Sequence, residues 1–225
     1  NKKNESYTLY TSGQNIHLSR TILAASLNVP ESDIRAIIPD VGGGFGMKNF
    51  IYPETVLVLW AARRIGRPVK WIADRTESFL SDDHGRDHRT FCELGLDGDG
   101  KFLGLRITTL GNLGAYVTAT AASLHTAAYG ALTGGVYNIP KVHLGVKAVF
   151  TNSTPLGAYR GVGYAESMSV IERLVDSAAK QIGIDAFELR RLNFIQSEER
   201  PYTNYSGTII ASSSFSDILS LALER

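Results

Sequence analysis

The sequence predicts an α+β protein in which mixed sheets pack against helices. Segments typical of strands and of helices follow one another without the strict alternation of a parallel α/β fold. The chain has 225 residues, of which 44% are apolar and 20% charged, so it can bury a substantial core. We therefore expect one large domain over residues 1–225, or two subdomains divided near residues 140–155.

The first third of the chain predicts three strands and two helices. β-Branched and aromatic residues indicate the strands, and apolar residues at helical spacing indicate the helices. Pro53 suits the first turn of the second helix, and Gly66 is expected to end it. Trp60 and Trp71 are expected in the core. The predicted strands cover 7–12, 34–39 and 69–73, and the predicted helices cover 14–28 and 53–68.

The remainder predicts a hairpin, a further strand and more helices. Period-2 apolar residues over 89–116 surround the turn Asp97-Gly98-Asp99-Gly100, which lacks the rest of a calcium-loop pattern. Asp185 is expected to cap a short helix. The other predicted elements are an irregular helical segment at 117–136, a strand at 141–152, and helices at 165–183 and 186–195.

The ends of the sequence suggest a piece of a longer polypeptide. The first residue is not Met, and the last twelve residues, "SFSDILSLALER", read as a helix that stops early.

Charge and cysteine content exclude several classes of function. The chain carries 23 basic and 22 acidic residues, a net charge of +1, so nothing indicates a nucleic-acid or membrane partner. Cys92 is the single cysteine, which excludes an intrachain disulfide and argues against a structural zinc site. We expect a reducing, cytoplasmic setting and Cys92 as a small buried apolar residue.

A glycine cluster, "VGGGFGMK", follows the strand predicted at 34–39. It fails the Walker pattern, because Lys48 is followed by Asn49, and it fails the dinucleotide fingerprint, because Met47 takes the place of the third glycine. The residues alone leave two interpretations of loop 42–46: a tight structural turn, or a loop whose backbone approaches an anionic ligand.

A second glycine-bearing loop, "GAYRGVG" at residues 157–163, precedes the helix predicted at 165–183. Arg160 presents a planar fork of donors that suits anionic groups, so both loops could converge on one ligand. Alternatively, Arg160 pairs with a helix carboxylate.

The cluster "HGRDH" at residues 84–88 also has two interpretations. Two histidines and an aspartate could bind a metal, but a hydrogen-bonded polar loop is the favoured explanation. Glu166 and Glu172 are expected to be solvated or paired, and neither is proposed as a catalytic base.

These motifs together resemble the molybdopterin-binding large subunits of the xanthine dehydrogenase and aldehyde oxidase family, which includes carbon monoxide dehydrogenase. The resemblance spans nearly the whole chain. It rests on "GQN", "VGGGFGMK", "GRPVKWIADRTESF", "GRDH", "DGDGK", "YNIP", "TNSTPLGAYRG" and "GIDAFELRRLNFI", in this order.

The resemblance implies roles for residues around both glycine loops. The Phe-Gly pair would lie beside the molybdenum, the glutamine would hydrogen-bond an oxo ligand of the metal, and the Ala-Tyr-Arg segment would wrap the metal and the pterin. No side chain would ligate the metal, and this part of the family fold contains no catalytic residue. The implied cofactor contacts are Gln14, Gly44, Phe45, Gly46, Ala158, Tyr159 and Arg160.

The resemblance also implies the remaining machinery. The cofactor would be molybdopterin with molybdenum, in the cytosine dinucleotide form usual in prokaryotic members. A catalytic glutamate would lie in a second molybdopterin-binding domain of the same subunit, and iron–sulfur and FAD groups on partner chains or domains. The chain would then be one half of a two-domain cofactor-binding subunit, acting on a small-molecule substrate.

Two departures from the family's sequence pattern narrow the range of expected substrates. Gly161 follows Arg160 where carbon monoxide dehydrogenase has a cysteine, so CO oxidation is not expected. Asn49 stands where xanthine-oxidising enzymes have a purine-recognising glutamate. An aldehyde or an aromatic heterocycle fits better. The alternative function is a non-catalytic fragment or accessory paralogue that keeps the fold without the cofactor.

Overall fold

The computed structural model describes residues 6–118, 121–211 and 214–224, and these form two compact units. The first unit comprises Asn1–His84 and Gly157–Arg160, and the second comprises Gly85–Leu156 and Gly161–Arg225. The division therefore lies at residue 84 and around 157–160 rather than near 140–155. Residues 142–150 cannot form a boundary because they pair along the length of a neighbouring strand.

The first unit contains a two-stranded parallel sheet covered by helices. Its elements are β1 (Tyr7–Tyr10), α1 (Ile16–Leu27), β2 (Ile34–Ile37), α2 (Pro53–Ile65) and α3 (Arg75–Ser81).

The core of the first unit forms between its sheet and its helices. Leu9 of β1, Leu23 of α1 and Leu59 of α2 are among the residues buried there. The predicted caps are present, since Pro53 begins α2 and Gly66 ends it in the left-handed conformation with φ 68°.

The second unit contains a mixed three-stranded sheet, in which β4 pairs antiparallel with β3 and parallel with β5. The α+β prediction is confirmed. Its elements are β3 (His88–Leu96), β4 (Phe102–Gly114), α4 (Ala121–Ser123), a π-helical turn (Leu124–Ala128), α5 (Tyr129–Leu132), β5 (Val142–Phe150), α6 (Tyr164–Ile182), α7 (Ala186–Asn193), β6 (Tyr202–Thr203), β7 (Ile209–Ile210) and α8 (Phe215–Leu223).

The amphipathic helix α6 supplies much of the second core. Ile171 and Val175 lie fully buried on one stripe of the helix, and Ile107 of β4 is fully buried in the same cluster. Cys92 packs against this cluster but is half-buried rather than fully buried as the sequence predicts.

Two sequence-based predictions are wrong. Residues 69–73 do not form a strand, because no strand among the described residues pairs with them. Trp60 and Trp71 are 52% and 45% exposed rather than buried, because neither packs into the core cluster of the first unit. No helix within the described ranges is long and apolar enough to cross a membrane.

Candidate cofactor-binding site

Three segments of the first unit meet at the glycine loop. They are the residues that precede α1, the loop 42–46 after β2, and residues 157–160, which return to this unit from β5. Gln14, Gly44, Phe45, Gly46, Ala158 and Arg160 all lie at this junction, and Tyr159 lies between two of them, half exposed.

Gln14 and the glycine loop are held together by two hydrogen bonds. The backbone N–H of Gly46 donates to Gln14 Oε1 at 2.9 Å, and the backbone N–H of Gln14 donates to the carbonyl of Lys48 at 2.8 Å. Because Oε1 accepts the Gly46 bond, the orientation of the planar amide is fixed. The amide nitrogen of Gln14, which can only donate, therefore points away from the Gly46 N–H and can donate to another acceptor.

Two glycines of the loop lie against neighbouring segments at close distances. A Cβ on Gly44 would overlap the side chain of Gln14, and a Cβ on Gly46 would overlap the carbonyl oxygen of Ala158. Gly46 also has φ 107°, which L side chains rarely adopt. At Gly46 the obstacle is backbone, so only glycine fits there, whereas at Gly44 the obstacle is the flexible side chain of Gln14.

Phe45 is held in the left-handed region, with φ 53°. This conformation costs an aromatic residue on the order of 1–2 kcal/mol, so the surroundings must enforce it. The carbonyl of Phe45 accepts a hydrogen bond from the backbone N–H of Arg160 at 2.9 Å, and the guanidinium carbon of Arg160 lies 5.7 Å from the centre of the phenyl ring. Backbone strain of this kind is common at functional sites.

The segment 157–160 is anchored by Asp83 and His84, the last residues of the first stretch of the first unit. The N–H of Gly157 donates to the carbonyl of His84 at 3.0 Å, and the side chain of Asp83 occupies the space that a Cβ on Gly157 would need. Burial, together with the neighbouring charge of Asp82, raises the pKa of Asp83 to about 6. This anchor could not be predicted from the sequence, because no local pattern relates Asp83 to a loop more than 70 residues away.

The second glycine-bearing loop is divided between the units. Residues 157–160 belong to the first unit, while Gly161 and Gly163 belong to the second and lead into α6. Gly163 caps α6 with φ 75°, and a Cβ there would lie 2.6 Å from the backbone nitrogen of Tyr129. The last residues of the predicted loop 157–163 thus also serve as the start of α6.

The polar cluster at residues 84–88 is hydrogen-bonded. His88 Nε2 lies 2.7 Å from His125 Nδ1, and Asp87 accepts a hydrogen bond from Asn112 Nδ2 at 2.8 Å. Within the described part of the chain, no three His, Cys, Asp or Glu residues are grouped so that they could hold a metal ion. His125, which no sequence motif singles out, is only 3% exposed.

The expected carboxylate pairs are present in the second unit. Glu166 lies 3.8 Å from Arg86, and Glu172 lies 2.8 Å from Arg190 and accepts a hydrogen bond from Tyr137. Both glutamates are therefore engaged in structural contacts.

The donor set at the junction fits an anionic cofactor whose metal is ligated by its own atoms. The donors are the oriented amide of Gln14, the guanidinium of Arg160, and the backbone of the glycine loop, which has few side chains to block a ligand. The fold and the site thus define a cofactor-binding domain built from glycine-rich loops.

Comparison with known proteins gives the family. A family model described as the molybdopterin cofactor-binding domain matches residues 1–194, so the chain belongs to this family. The similarity to the large subunits of the xanthine dehydrogenase and aldehyde oxidase group, seen first in the motifs, is thereby confirmed.

Individual relatives agree with this assignment. The carbon monoxide dehydrogenase large chain of Hydrogenophaga pseudoflava is 39% identical over 202 residues, which cover 89% of this chain and 25% of that protein. Subunit gamma of the 6-hydroxypseudooxynicotine dehydrogenase complex of Paenarthrobacter nicotinovorans is 39% identical over 188 residues, 84% of this chain and 24% of that protein.

A solved structure gives the same result. Quinoline 2-oxidoreductase from Pseudomonas putida 86 matches with a TM-score of 0.92 and 38% identity, covering 97% of this chain and 28% of that one. The chain spans about a quarter of the length of the curated relatives that it matches.

Proposed function

We propose that the chain is the first molybdopterin-binding domain of a molybdenum hydroxylase subunit and that its junction of three segments contacts the cofactor. The observation that carries the proposal is the hydrogen bond from Gly46 N–H to Gln14 Oε1, made where Gly44 and Gly46 leave no room for a side chain.

In this proposal, the residues of the chain bind and orient the cofactor. Gln14 donates from its amide nitrogen to an acceptor on the cofactor, because its oxygen is already engaged by Gly46. Arg160 supplies positive charge beside the loop. When bound, the molybdenum centre supplies the two-electron redox chemistry that oxidises an activated carbon with oxygen from water.

We further propose that the substrate of the complete enzyme is an aldehyde or an aromatic heterocycle. Gly161 follows Arg160, where the family resemblance places a cysteine in carbon monoxide dehydrogenases, and Asn49 takes the place of the purine-recognising glutamate. The name of the similar quinoline 2-oxidoreductase supports a heterocycle.

The rest of the machinery is proposed to lie outside these 225 residues. A second molybdopterin-binding domain with the catalytic glutamate would belong to the same subunit, and iron–sulfur and FAD groups to partner chains or domains. The fraction of its relatives that the chain spans supports this arrangement. The cytosine dinucleotide form of the cofactor and a cytoplasmic location complete the proposal.

The test is cofactor content. The full-length subunit, co-expressed with its partners in a host that makes the molybdenum cofactor, should contain about one molybdenum and one cytidine nucleotide per subunit. A related enzyme loaded in the same host serves as the control. If the control is loaded and this subunit contains neither molybdenum nor nucleotide, the non-catalytic alternative holds instead.

Two substitutions test the site itself. Arg160→Ala should lower molybdenum retention at least tenfold, because a hydrogen bond to a charged group contributes about 1.5–3 kcal/mol. Gly46→Val should lower it further, since the side chain would overlap the Ala158 carbonyl. Arg173→Ala, at an exposed arginine of α6, is the matched control and should retain the cofactor. Normal molybdenum content in both site variants would refute the assignment.

A further inference from the structure

A closed ring of contacts joins the two loops of the candidate site to the end of helix α3. On one side the loops touch directly, through the hydrogen bond from Arg160 to Phe45 and through the packing of Gly46 on Ala158. On the other side they are joined through residues 82–84, which follow α3. All of these residues belong to the first unit, so the ring is a feature of that unit alone.

The hydroxyl of Tyr52 links the glycine loop to the end of α3. It lies 2.9 Å from Asp82 Oδ1 and 3.1 Å from the carbonyl oxygen of Met47, the residue that follows loop 42–46. The hydroxyl therefore shares its single hydrogen between the carboxylate and the loop carbonyl. Burial, together with the hydrogen bond to Asp82, raises the pKa of Tyr52 well above its usual value, so the hydroxyl remains a donor at neutral pH.

The three residues after α3 carry the link to the second loop. Asp82 closes α3, because its backbone N–H donates to a carbonyl of the last helical turn at 2.9 Å. The next two residues hold Gly157. Its N–H donates to the carbonyl of His84 at 3.0 Å, and the side chain of Asp83 packs where a Cβ would stand. A displacement of Asp82 is therefore passed on to Gly157 and to the loop that contains it.

The bond between Tyr52 and Asp82 is not needed to cap either neighbouring helix. Helix α2 begins with Pro53 directly after Tyr52, whose side chain takes no part in the cap. Helix α3 begins with the capping box of Asp74 and Glu77 and ends through the backbone of Asp82. The bond between the two side chains thus fixes the glycine loop against the end of α3.

We propose that Tyr52, Asp82 and Asp83 are positioning residues of the cofactor site. Through the Tyr52 hydroxyl and the Asp82 carboxylate, they hold residues 157–160 at a fixed distance from the glycine loop, so that both loops present their donors to the same ligand. They act through the backbone of the loops. The inference rests on the proposed function, because the ring positions a cofactor only if the loops bind one.

Four variants of the full-length subunit, co-expressed with its partners in a host that makes the molybdenum cofactor, test this role. Tyr52→Phe removes the hydroxyl and keeps the ring, and Asp82→Ala removes its acceptor. Asp82→Asn keeps an oxygen that accepts the same hydrogen. Tyr7→Phe is the matched control, because it also removes a tyrosine hydroxyl of the first unit. That hydroxyl accepts a hydrogen bond from Arg63 at 2.9 Å and takes no part in the ring.

The first readout is the rate at which each purified variant loses molybdenum during timed incubation followed by gel filtration. Tyr52→Phe and Asp82→Ala should each lose it about five to ten times faster than the wild type, because a hydrogen bond to a charged group is removed. The double variant should be no faster than the quicker single variant, since both break the same bond. Asp82→Asn and Tyr7→Phe should stay within about twofold of the wild type, because the ring remains closed.

Three results would overturn the proposal. The first is an equal rate of molybdenum loss in Tyr52→Phe and the wild type. The second is additive effects of Tyr52→Phe and Asp82→Ala, or a failure of Asp82→Asn to retain the metal, since either would show that the shared hydrogen bond does not position the loops. The third is equally fast loss in Tyr7→Phe, which would make general destabilisation of the unit the explanation.

Hydrogen exchange in the subunit prepared without cofactor gives a readout that does not depend on the metal. The amides of Gly157 and Arg160 should exchange about five to ten times faster in Tyr52→Phe, because the segment that holds them is released. The amides of β2 should be unchanged, which shows that the unit is still folded. Unchanged exchange at both Gly157 and Arg160 would contradict the proposal.

The same samples separate this inference from the proposed function. A wild-type subunit that takes up no molybdenum, while a related enzyme in the same host is loaded, would refute the proposed function. A loaded wild type that Tyr52→Phe matches in both molybdenum retention and hydrogen exchange would refute only the positioning role of the ring.

Discussion

At the scale of single residues, the buried histidine pair of the second unit is a pH-sensitive feature. His125 is 3% exposed and lies 2.7 Å from His88 through their ring nitrogens. Burial and the neighbouring His88 together lower the pKa of His125 to about 4, although the charge of Asp87 opposes the shift. Burial also lowers the pKa of His88, although the charges of Glu166 and Asp87 oppose that shift.

Stability is therefore expected to fall on acidification. Between pH 6.5 and pH 4 the unfolded chain binds a proton on His125 that the folded chain does not, so the free energy of unfolding decreases as pH falls through this window. We expect a loss of about 1–3 kcal/mol, since each unit of pKa difference corresponds to about 1.4 kcal/mol. This loss is measured by urea denaturation at pH 7.5 and at several lower pH values down to pH 4.

Carboxylates also titrate in this range, so the histidine contribution needs matched variants. His125→Asn should flatten the decrease between pH 6.5 and pH 4, and His17→Asn, at an exposed histidine of α1, should leave it unchanged. The same pH dependence in the His125→Asn variant and the wild type would show that the pair does not control it.

The residues of the candidate site show what sequence could and could not predict at this scale. The glycines of loop 42–46 indicated that something approaches the backbone closely, and two of the neighbours are now visible as Gln14 and Ala158. The identity of the neighbours could not come from local pattern, since Ala158 is more than 100 residues away in sequence. For the same reason the histidine pair and the Asp83 anchor were missed.

At the scale of elements, α7 is fastened to the β3–β4 hairpin by one side chain. Asn193 is 2% exposed. Its amide donates to the carbonyls of Gly100 and Leu189 at 2.9 Å each, and its oxygen accepts from Phe102 N–H at 2.8 Å. The helix and the hairpin turn thus share a buried hydrogen-bond network.

Replacing Asn193 by Leu is expected to destabilise the chain by about 2–4 kcal/mol, because buried backbone groups on the hairpin lose their partners. Asp185→Ala, which removes the N-terminal cap of the same helix, should cost only about 1 kcal/mol because that cap is exposed. Urea denaturation of both variants gives the comparison. Equal losses would mean that the Asn193 network is no more important than an ordinary cap.

Helices and strands with strong local sequence signals were predicted correctly, whereas segments whose structure depends on a neighbouring strand were not. The helices α1, α2, α6 and α7 and the β3–β4 hairpin follow from periodicity, caps and turn residues. Helix α3 was missed although Asp74 and Glu77 form a capping box that a search for this signal would have found. Residues 69–73 have the composition of a strand, but a strand also needs a neighbour, and sequence pattern does not reveal whether one is present.

At the scale of the whole molecule, the two units have cores of different size. Among the described residues, the main cluster of the second unit buries twelve side chains, including Ile107 and Ile171, and that of the first unit buries six, including Leu23. Because stability increases with buried apolar surface, the first unit is expected to be the less stable of the two in this 225-residue chain.

This difference can be observed because both tryptophans, Trp60 and Trp71, belong to the first unit. In a urea titration of the 225-residue chain, tryptophan fluorescence should report a transition at lower urea than the loss of amide protection in β4 of the second unit. Leu23→Ala should shift only the fluorescence transition and Ile171→Ala only the β4 transition, each by the 2–5 kcal/mol typical of a buried leucine or isoleucine reduced to alanine. Coincident transitions that both variants shift together would show that the chain unfolds as one cooperative body, and the division into two units would then describe its contacts but not its energetics.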